Sequence, residues 1–266
     1  MPHLFIFGLG YSAARIAAIA LASGWQVSST GSAGDMTFAD GEQVRAALAE
    51  ATHVLSSIPP LEDAGDPVLA TYAGTLAGKR LAYLSATGVY GDVGGAWVDE
   101  YSPTGTGRRT ARATADARWL ALGAHVLRLP GIYGPGRSVF ERLADGRAQR
   151  IDVAQQVFSR VHVDDIASGT MLALTGAAPP GAYNLADDLP CSQNAVIEHA
   201  CRLAGLPLPP LLSLEEANLS PIARRFYAEN RRVANGKAKR LLGWQPRYPT
   251  FREGLASLVT GLLTGT

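Results

Sequence analysis

The chain has 266 residues, of which 47% are hydrophobic, and its formal net charge is +1. This size and composition predict a soluble globular protein with a buried core, whereas the balanced charge argues against nucleic acid or a membrane surface as the main partner. No apolar run reaches the ~20 residues of a membrane span, no signal peptide is recognisable, and only two cysteines occur, so we expect a cytoplasmic location.

The N-terminal stretch predicts a strand, a glycine turn and a helix. Residues 4–7 are a short apolar run that suits a buried strand, and helical apolar spacing follows as far as Gly24. Between them, Gly8, Gly10 and Ala13 form a Gly-x-Gly-x-x-Ala pattern, which permits a tight turn, a close approach of pyrophosphate and close packing of the helix. The helix N-terminus would offer free N–H groups to the anion. The alternative is an ordinary tight turn of another α/β protein.

The end of the second predicted strand, at residues 25–30, bears on the choice of cofactor. An acidic residue there would bind the ribose 2′-hydroxyl of NAD and repel the 2′-phosphate of NADP. The residues from 28 to 32 are Ser-Ser-Thr-Gly-Ser, and no acid occurs before Asp35. Hydroxyls and free amides can accept a phosphate, which favours NADP over NAD, although no Arg or Lys is present to neutralise it.

The following elements alternate as far as residue 130. We predict a short strand at 36–38, a helix at 42–50, a strand at 53–58, a helix at 68–77, a strand at 80–85, a glycine-rich loop at 91–106, a helix at 107–122 and a strand at 125–130. This alternation predicts an α/β, Rossmann-like, doubly wound parallel sheet with right-handed crossovers.

After residue 130 the pattern changes to turns, short helices and proline-rich loops. We expect residues 1–136 and 160–180 to form a dinucleotide-binding domain, and residues 137–159 and 181–266 to form a smaller C-terminal substrate lobe. Substrates of open α/β sheets bind at the carboxyl edge of the strands, where this lobe would lie.

Five further motifs resemble the extended short-chain dehydrogenase/reductase group, which includes nucleotide-sugar epimerases and dehydratases. They lie in order at 84–92 (LSATGVYGD), 127–136 (LRLPGIYGPG), 160–167 (RVHVDDIA), 183–185 (YNL) and 241–246 (LLGWQP). The resemblance runs nearly end to end, is closest to atypical bacterial members, and implies an NAD(P) cofactor. The expected cofactor-binding residues are Gly8, Gly10, Tyr11, Ser12, Ala13, Ser29, Thr30, Ser57, Ile58, Pro59 and Pro130.

The catalytic positions of that group are altered in this chain. Members that transfer hydride use a Tyr-x-x-x-Lys pair, whose ammonium favours the phenolate, and a Ser or Thr four residues before the Tyr of Val-Tyr-Gly. No Tyr-x-x-x-Lys occurs here. If Asp116 is the acidic residue that follows the pair, Arg108 and Arg112 occupy its positions, and Ala86 stands four residues before Tyr90. Arginine stays protonated and provides no base.

The candidate catalytic residues are therefore Thr87, Tyr90, Arg108 and Arg112. Thr87 is a small hydroxyl suited to a bound carbonyl, and Tyr90 can supply a proton; the alternatives are a strand-end hydroxyl bonded to backbone and a tyrosine packed under the loop. The two arginines, one helical turn apart, can grip a carboxylate or phosphate. Alternatively they form a solvated face with Asp116 as the partner of Arg112.

Three more charged positions have structural alternatives. The resemblance makes residues 162–165 a strand-to-helix connection in which Asp164 or Asp165 caps a helix starting at Ile166 and His162 packs, so no metal site is expected. Arg128 and Arg160 are cleft cations by resemblance, or structural hydrogen-bond donors.

Two hypotheses remain. The first is an NAD(P)-dependent oxidoreductase or epimerase-like enzyme with a non-standard site for a small anionic or nucleotide-linked substrate. The second is a non-catalytic dinucleotide-binding sensor or regulator. A closed pocket at the nicotinamide end favours the enzyme, whereas a site filled by side chains of the protein favours the sensor. The resemblance alone suggests a homodimer formed through the helices at 68–77 and 107–122.

Overall fold

The computed structural model describes residues 1–107 and 110–264. The strands are β1 (His3–Phe7), β2 (Gln26–Ser29), β3 (His53–Ser56), β4 (Arg80–Ala86), β5 (Trp97–Val98), β6 (His125–Leu129), β7 (Gly131–Tyr133), β8 (Arg150–Ile151), β9 (Arg160–His162), β10 (Gly181–Asn184), β11 (Leu211–Leu212) and β12 (Arg232–Val233). The α-helices are α1 (Tyr11–Ala22), α2 (Gly41–Glu50), α3 (Pro67–Tyr72), α4 (Thr110–Ala121), α5 (Val139–Ala144), α6 (Val163–Thr175), α7 (Gln193–Ala204), α8 (Pro221–Phe226) and α9 (Phe251–Thr264).

Six parallel strands form the central sheet, in the order β10-β6-β4-β3-β1-β2. The side chains of β1 alternate between two cores: Leu4 and Ile6 pack with α1 and α6, whereas Phe5 and Phe7 pack with α2, α3 and α4. β2 lies on one side of β1, and the chain then crosses to the other side of β1 to form β3. A crevice opens at the carboxyl ends of the strands where the chain changes sides in this way. The predicted Rossmann-like, doubly wound fold is confirmed.

Two strand assignments differ from the sequence prediction. The predicted strand at 36–38 is reduced to a single bridge between Thr30 and Met36, because the chain turns back at once and the amides of Asp35 and Met36 both donate to Ser29 O. Gly181–Asn184, which we placed in the smaller lobe, is the sixth strand of the main sheet and pairs with β6. It pairs with the outer edge of the buried strand β6, which is paired on its other side with β4.

The remaining segments form a second layer above the carboxyl edge of the sheet. Parallel pairing of β7 with β9 joins the two segments that follow β6 and precede α6. A separate apolar cluster, which includes Phe140, Ile197 and Phe251, packs α5, α7 and α9 together. Among the described residues, no helix combines the length and apolar character that crossing a bilayer requires.

Candidate dinucleotide and substrate site

The glycine turn after β1 has the geometry that a dinucleotide requires. Gly8 has a φ of +84°, and a Cβ there would lie 2.8 Å from Cγ1 of Ile58, so a larger residue is excluded. At Gly10, in contrast, a Cβ would meet no atom within 4 Å, and this residue begins α1 without a side-chain cap. Ala13 is buried in the contact of α1 with the sheet. The α1 amides therefore face open space at the position that suits a pyrophosphate.

Tyr11 and Ser12 occupy the first turn of α1, and both are half-buried. The Tyr11 hydroxyl donates to Pro135 O at 3.0 Å, and the guanidinium carbon of Arg137 lies 5.6 Å from the centre of the Tyr11 ring. The segment after β7 is thus held directly beside the glycine turn.

The end of β2 differs from the sequence expectation. Thr30 is fully buried, and its Oγ1 accepts from Gly8 N at 3.1 Å. Ser29 is also buried, and its amide donates to Asp35 Oδ2 at 3.0 Å. Neither hydroxyl faces solvent, so the expectation that they receive a phosphate is corrected; Ser32, which is exposed, lies at the open end of the strand. Asp35 is brought back to this end although it lies six residues beyond Ser29.

The residues after β3 and β6 flank the same crevice. The Ser57 hydroxyl donates to Gly8 O, and the Ile58 side chain packs against Gly8. Pro59 is exposed after them, and Pro130, at the end of β6, lines the cavity described below. Ser57 and Ile58 therefore brace the glycine turn, while Pro130 lies at the substrate side.

Tyr90 belongs to a buried cluster, the Arg128 network, formed by Ser85, Tyr90, Asp116, Arg128 and Asn184. The Tyr90 hydroxyl donates to Asn184 Oδ1 at 2.7 Å and accepts from Arg128 Nη1 at 3.0 Å. Burial raises the pKa of Tyr90 to about 12. With only 1% of its surface exposed and its hydroxyl bonded within the network, Tyr90 fits the alternative of a packed tyrosine, and its role as a proton donor stays a prediction.

Asp116 does not pair with Arg112, although the i,i+4 spacing led to that expectation. Its carboxylate is buried, accepts from Nη2 and Nε of Arg128 at 2.7 and 3.1 Å, and accepts from Ser85 Oγ at 2.7 Å. Arg112 instead donates to the Tyr83 hydroxyl at 2.8 Å and is half-buried. The interpretation of a solvated arginine face is therefore wrong for Arg112. Arg108 lies outside the described residues, so its pairing with Arg112 stays a prediction.

A cavity of about 900 Å³ opens at the carboxyl ends of β4 and β6. One wall is formed by Ala86, Thr87, Gly88, Leu129 and Pro130, and the other walls come from the smaller lobe, between residues 142 and 233. Thr87 is nearly buried, and its Oγ1 forms no hydrogen bond with any residue that the structure describes. Of the sequence candidates, Thr87 is the hydroxyl that the fold places at a cavity.

Arginine dominates the charged groups of this cavity. Arg142, Arg147, Arg160 and Arg231 line it, against one acid, Glu229. Sequence reasoning identified only Arg160, and Arg160 donates to Phe158 O at 2.8 Å and to Cys191 O at 3.1 Å. The density of arginine between residues 142 and 150 was the available signal for Arg142 and Arg147.

Residues 162–165 connect β9 to α6, as the resemblance implied, but α6 begins at Val163 instead of Ile166. Its N-cap is His162, whose Nδ1 accepts from Asp164 N at 3.2 Å, and not an aspartate. Burial lowers the pKa of His162 to about 4, so the ring is neutral. The Asp165 carboxylate accepts from Arg247 N at 2.6 Å and anchors the C-terminal segment. Within the described parts of the chain, no group of three or more His, Cys, Asp or Glu residues is placed to hold a metal ion.

Comparison with known proteins relates this architecture to nucleotide-binding enzymes. No protein-family model matches the chain. The 3-diazoavenalumate denitrifying reductase of a Streptomyces species is 30% identical over 161 residues, which cover 55% of this chain. The chain spans about half the length of that curated relative, since the match covers 52% of it.

Solved structures match over nearly the whole chain. A functionally unknown conserved protein from Silicibacter pomeroyi is 38% identical, with a TM-score of 0.87 and coverage of 98% of this chain and 99% of the other, so the two chains belong to one family. The dTDP-glucose 4,6-dehydratase of Bacillus anthracis, in complex with NAD, is 17% identical (TM-score 0.80; coverage 99% and 97%). A human epimerase family protein with NADPH is 16% identical (TM-score 0.75; coverage 97% and 99%). The last two share the fold.

Proposed function

We propose that this chain, by fold an atypical extended short-chain dehydrogenase/reductase, is a nicotinamide-dinucleotide-dependent reductase of a small anionic substrate. The observation that carries the proposal is the placement of two features on one sheet edge: the glycine turn open at Gly10, and the cavity at Thr87 and Pro130. Open α/β sheets bind a dinucleotide across this edge. When bound, the dinucleotide supplies the hydride.

In this proposal, residues of the chain bind the cofactor, contact the reacting group and select the charge of the substrate. The α1 amides and Gly10 bind the pyrophosphate, with Ser57 and Ile58 holding the turn in place. The Thr87 hydroxyl donates to or accepts from the reacting group of the substrate. The arginine-rich cavity selects an anion and encloses it away from bulk water.

Reduction fits these residues better than epimerisation or dehydration. The latter reactions need a base that removes a proton from the substrate. Tyr90 is buried and bonded, and Arg112 stays protonated, so neither provides one. A reductase is also the activity that the name of the Streptomyces relative gives for that protein.

The second candidate function is a non-catalytic dinucleotide sensor. It is favoured by the alteration of all three catalytic positions and by the commitment of Tyr90, Asp116 and Arg128 to a buried network. A sensor, however, needs no cavity beyond the cofactor itself. The volume of about 900 Å³ beside Thr87 favours the enzyme.

We further propose NADP(H) as the preferred cofactor, a cytoplasmic location and a homodimer formed through α3 and α4. The carboxylate of Asp35 accepts a hydrogen bond from the Ser29 amide, and the exposed Ser32 would be available to bind a 2′-phosphate. Cys191 and Cys201 are free thiols, as is usual in a reducing compartment. The division into a dinucleotide-binding domain and a substrate lobe also remains a proposal.

The test is a calorimetric titration with NADPH and NADH, repeated with Gly10→Val. Since open space surrounds a Cβ at Gly10, the valine is compatible with the fold but obstructs the pyrophosphate. A matched control is Gly74→Val, at a second glycine with open space and far from the turn. We expect binding to be lost only in Gly10→Val. Failure of the unaltered chain to bind either cofactor would overturn both candidate functions.

A further inference from the structure

We infer that the cavity beside Thr87 binds a planar aromatic carboxylate, with Arg142 as the partner of the carboxylate and the Phe158–Tyr227 pair as the surface for the ring. The inference rests on the proposed function only in treating this cavity as the substrate site. It replaces the broad class of anionic or nucleotide-linked substrates with one kind of molecule.

The aromatic surface consists of Phe158 and Tyr227, which come from the segment before β9 and the segment after α8. Their ring centres are 5.5 Å apart and their planes meet at 89°, an edge-to-face pair. Both line the cavity, as does Phe226, which is 54% exposed. A large aromatic side chain exposed at a cavity next to a second aromatic pair offers a planar ligand ring both stacking and edge contacts.

Two guanidinium groups flank these rings. Arg142 and Arg160 line the same cavity as Phe158 and Tyr227. The guanidinium carbon of Arg160 is 5.8 Å from the centre of the Phe158 ring. The surface therefore combines aromatic rings with positive charge, the combination that suits an aromatic anion.

The two cations differ in what they can donate. Arg160 is held by the backbone oxygens of Phe158 and Cys191 and by Gln193 Oε1, so it supplies charge from a fixed position. Arg142 is exposed and lines the cavity, and its guanidinium forms no hydrogen bond or ion pair with any residue of the described ranges. A guanidinium with free donors binds a carboxylate through two parallel hydrogen bonds.

The other cavity arginines argue against a diphosphate. Arg231 donates to Glu229 at 2.9 Å and to Gly91 O at 2.6 Å, and Arg147 pairs with Asp145. Arg147 and Arg231 thus already have acidic partners, whereas no described residue pairs with the Arg142 guanidinium, which matches one carboxylate. A diphosphate carries two charges and several acceptor oxygens, and it calls for more than one such fork.

The experiment is calorimetric titration of the full chain, with and without NADPH, using four probes. They are trans-cinnamate, the uncharged cinnamamide, 3-cyclohexylpropanoate, which keeps the charge and loses the aromatic ring, and UDP-glucose. We expect cinnamate to bind at least ~10-fold more tightly than each of the other three. Equal binding of cinnamamide or of 3-cyclohexylpropanoate, or tighter binding of UDP-glucose, would overturn the inference.

Single substitutions test which side chains contact the carboxylate and the ring of cinnamate. Arg142→Gln should weaken cinnamate binding ~10-fold and leave cinnamamide binding unchanged, whereas Arg202→Gln, at an exposed arginine of α7 that does not line the cavity, should change cinnamate binding less than ~2-fold. Tyr227→Phe keeps the ring and should retain binding, and Phe158→Leu should weaken it. Equal effects of the two arginine variants would remove Arg142 from the site. Cinnamate binding without any binding of NADPH or NADH would overturn the proposed function and leave this inference standing.

Discussion

Arg128 and Asp116 form a two-pronged ion pair inside the protein, with Nη2 2.7 Å from Oδ1 and Nε 3.1 Å from Oδ2. The pair joins β6 to α4 beside β4, whose last residue immediately precedes Thr87, and both side chains are almost completely buried. A buried ion pair contributes little net stability, yet the loss of one partner leaves an uncompensated charge.

Asp116→Ala should lower the free energy of unfolding by about 3–5 kcal/mol, because the Arg128 guanidinium then remains buried without its anion. Urea denaturation measures the loss. Arg118→Ala, an exposed position on the same helix, should stay within ~0.5 kcal/mol of the unaltered chain. Similar losses of unfolding free energy for both variants would show that the buried ion pair matters no more to stability than an exposed side chain.

Tyr90→Phe should cost about 1–2 kcal/mol of stability, because Arg128 Nη1 and Asn184 Oδ1 both lose a buried partner. The affinity for NADPH should change less than ~2-fold, since the hydroxyl lies inside the network. Tyr101→Phe, at a tyrosine that is 87% exposed, is the control and should change neither quantity. A loss of cofactor affinity without a loss of stability would return Tyr90 to the active site.

Asp35→Asn should favour NADPH. The amide keeps an acceptor for the Ser29 N–H but removes the negative charge that the fold brings to the end of β2. We expect the affinity for NADPH to rise ~2–5-fold, a modest gain because solvent partly screens the Asp35 charge. The affinity for NADH should change less than ~2-fold. Titration calorimetry gives both dissociation constants, with Glu42→Gln on the neighbouring α2 as the control. An equal change for both cofactors would contradict a role in their discrimination.

Asp187 should make stability depend on pH. Burial raises its pKa to about 7, well above the ordinary value of 3.8, so the folded state holds its proton between these values. The stability contributed by this proton is present below about pH 4 and is lost as the pH rises through about 7. Asp187→Asn should abolish this decline, so that the variant gains on the unaltered chain between about pH 5 and about pH 8.

Urea denaturation at the two pH values tests this, with Asp188→Asn as the matched control. Asp188 is the next residue, is exposed, and pairs with Lys239. Parallel pH profiles for the unaltered chain and Asp187→Asn would show that the Asp187 carboxyl is not held protonated in the folded state.

Sequence patterns predicted the parts of the site that are formed by residues close together in the chain. The strand, glycine turn and helix at the N-terminus follow from neighbouring residues, and the structure has them at nearly the same bounds. The i,i+4 rule, in contrast, assigned Asp116 to Arg112, although the helix turns Asp116 inward to a strand residue twelve positions on. The arginine within the buried strand β6 was the available signal, because such a charge requires a partner.

The cavity could not be predicted because its walls come from distant parts of the chain. Thr87 and Phe158 lie more than seventy residues apart, and Tyr227 follows another stretch of similar length. No periodic pattern of apolar residues in the sequence indicates that these segments are in contact. The strand at Gly181–Asn184 was missed for another reason: four residues without an apolar run are too few to distinguish a strand from a loop.

The position of that strand makes the six-stranded sheet dependent on a segment that is synthesised after residue 180. A fragment that ends at residue 180 would lack the strand that covers β6, and it would also lack Asn184, which receives the Tyr90 hydroxyl. Such a fragment would display an unpaired, apolar strand edge of the kind that leads chains to associate with one another. The first 180 residues therefore cannot complete the six-stranded sheet until residues 181–184 have been synthesised.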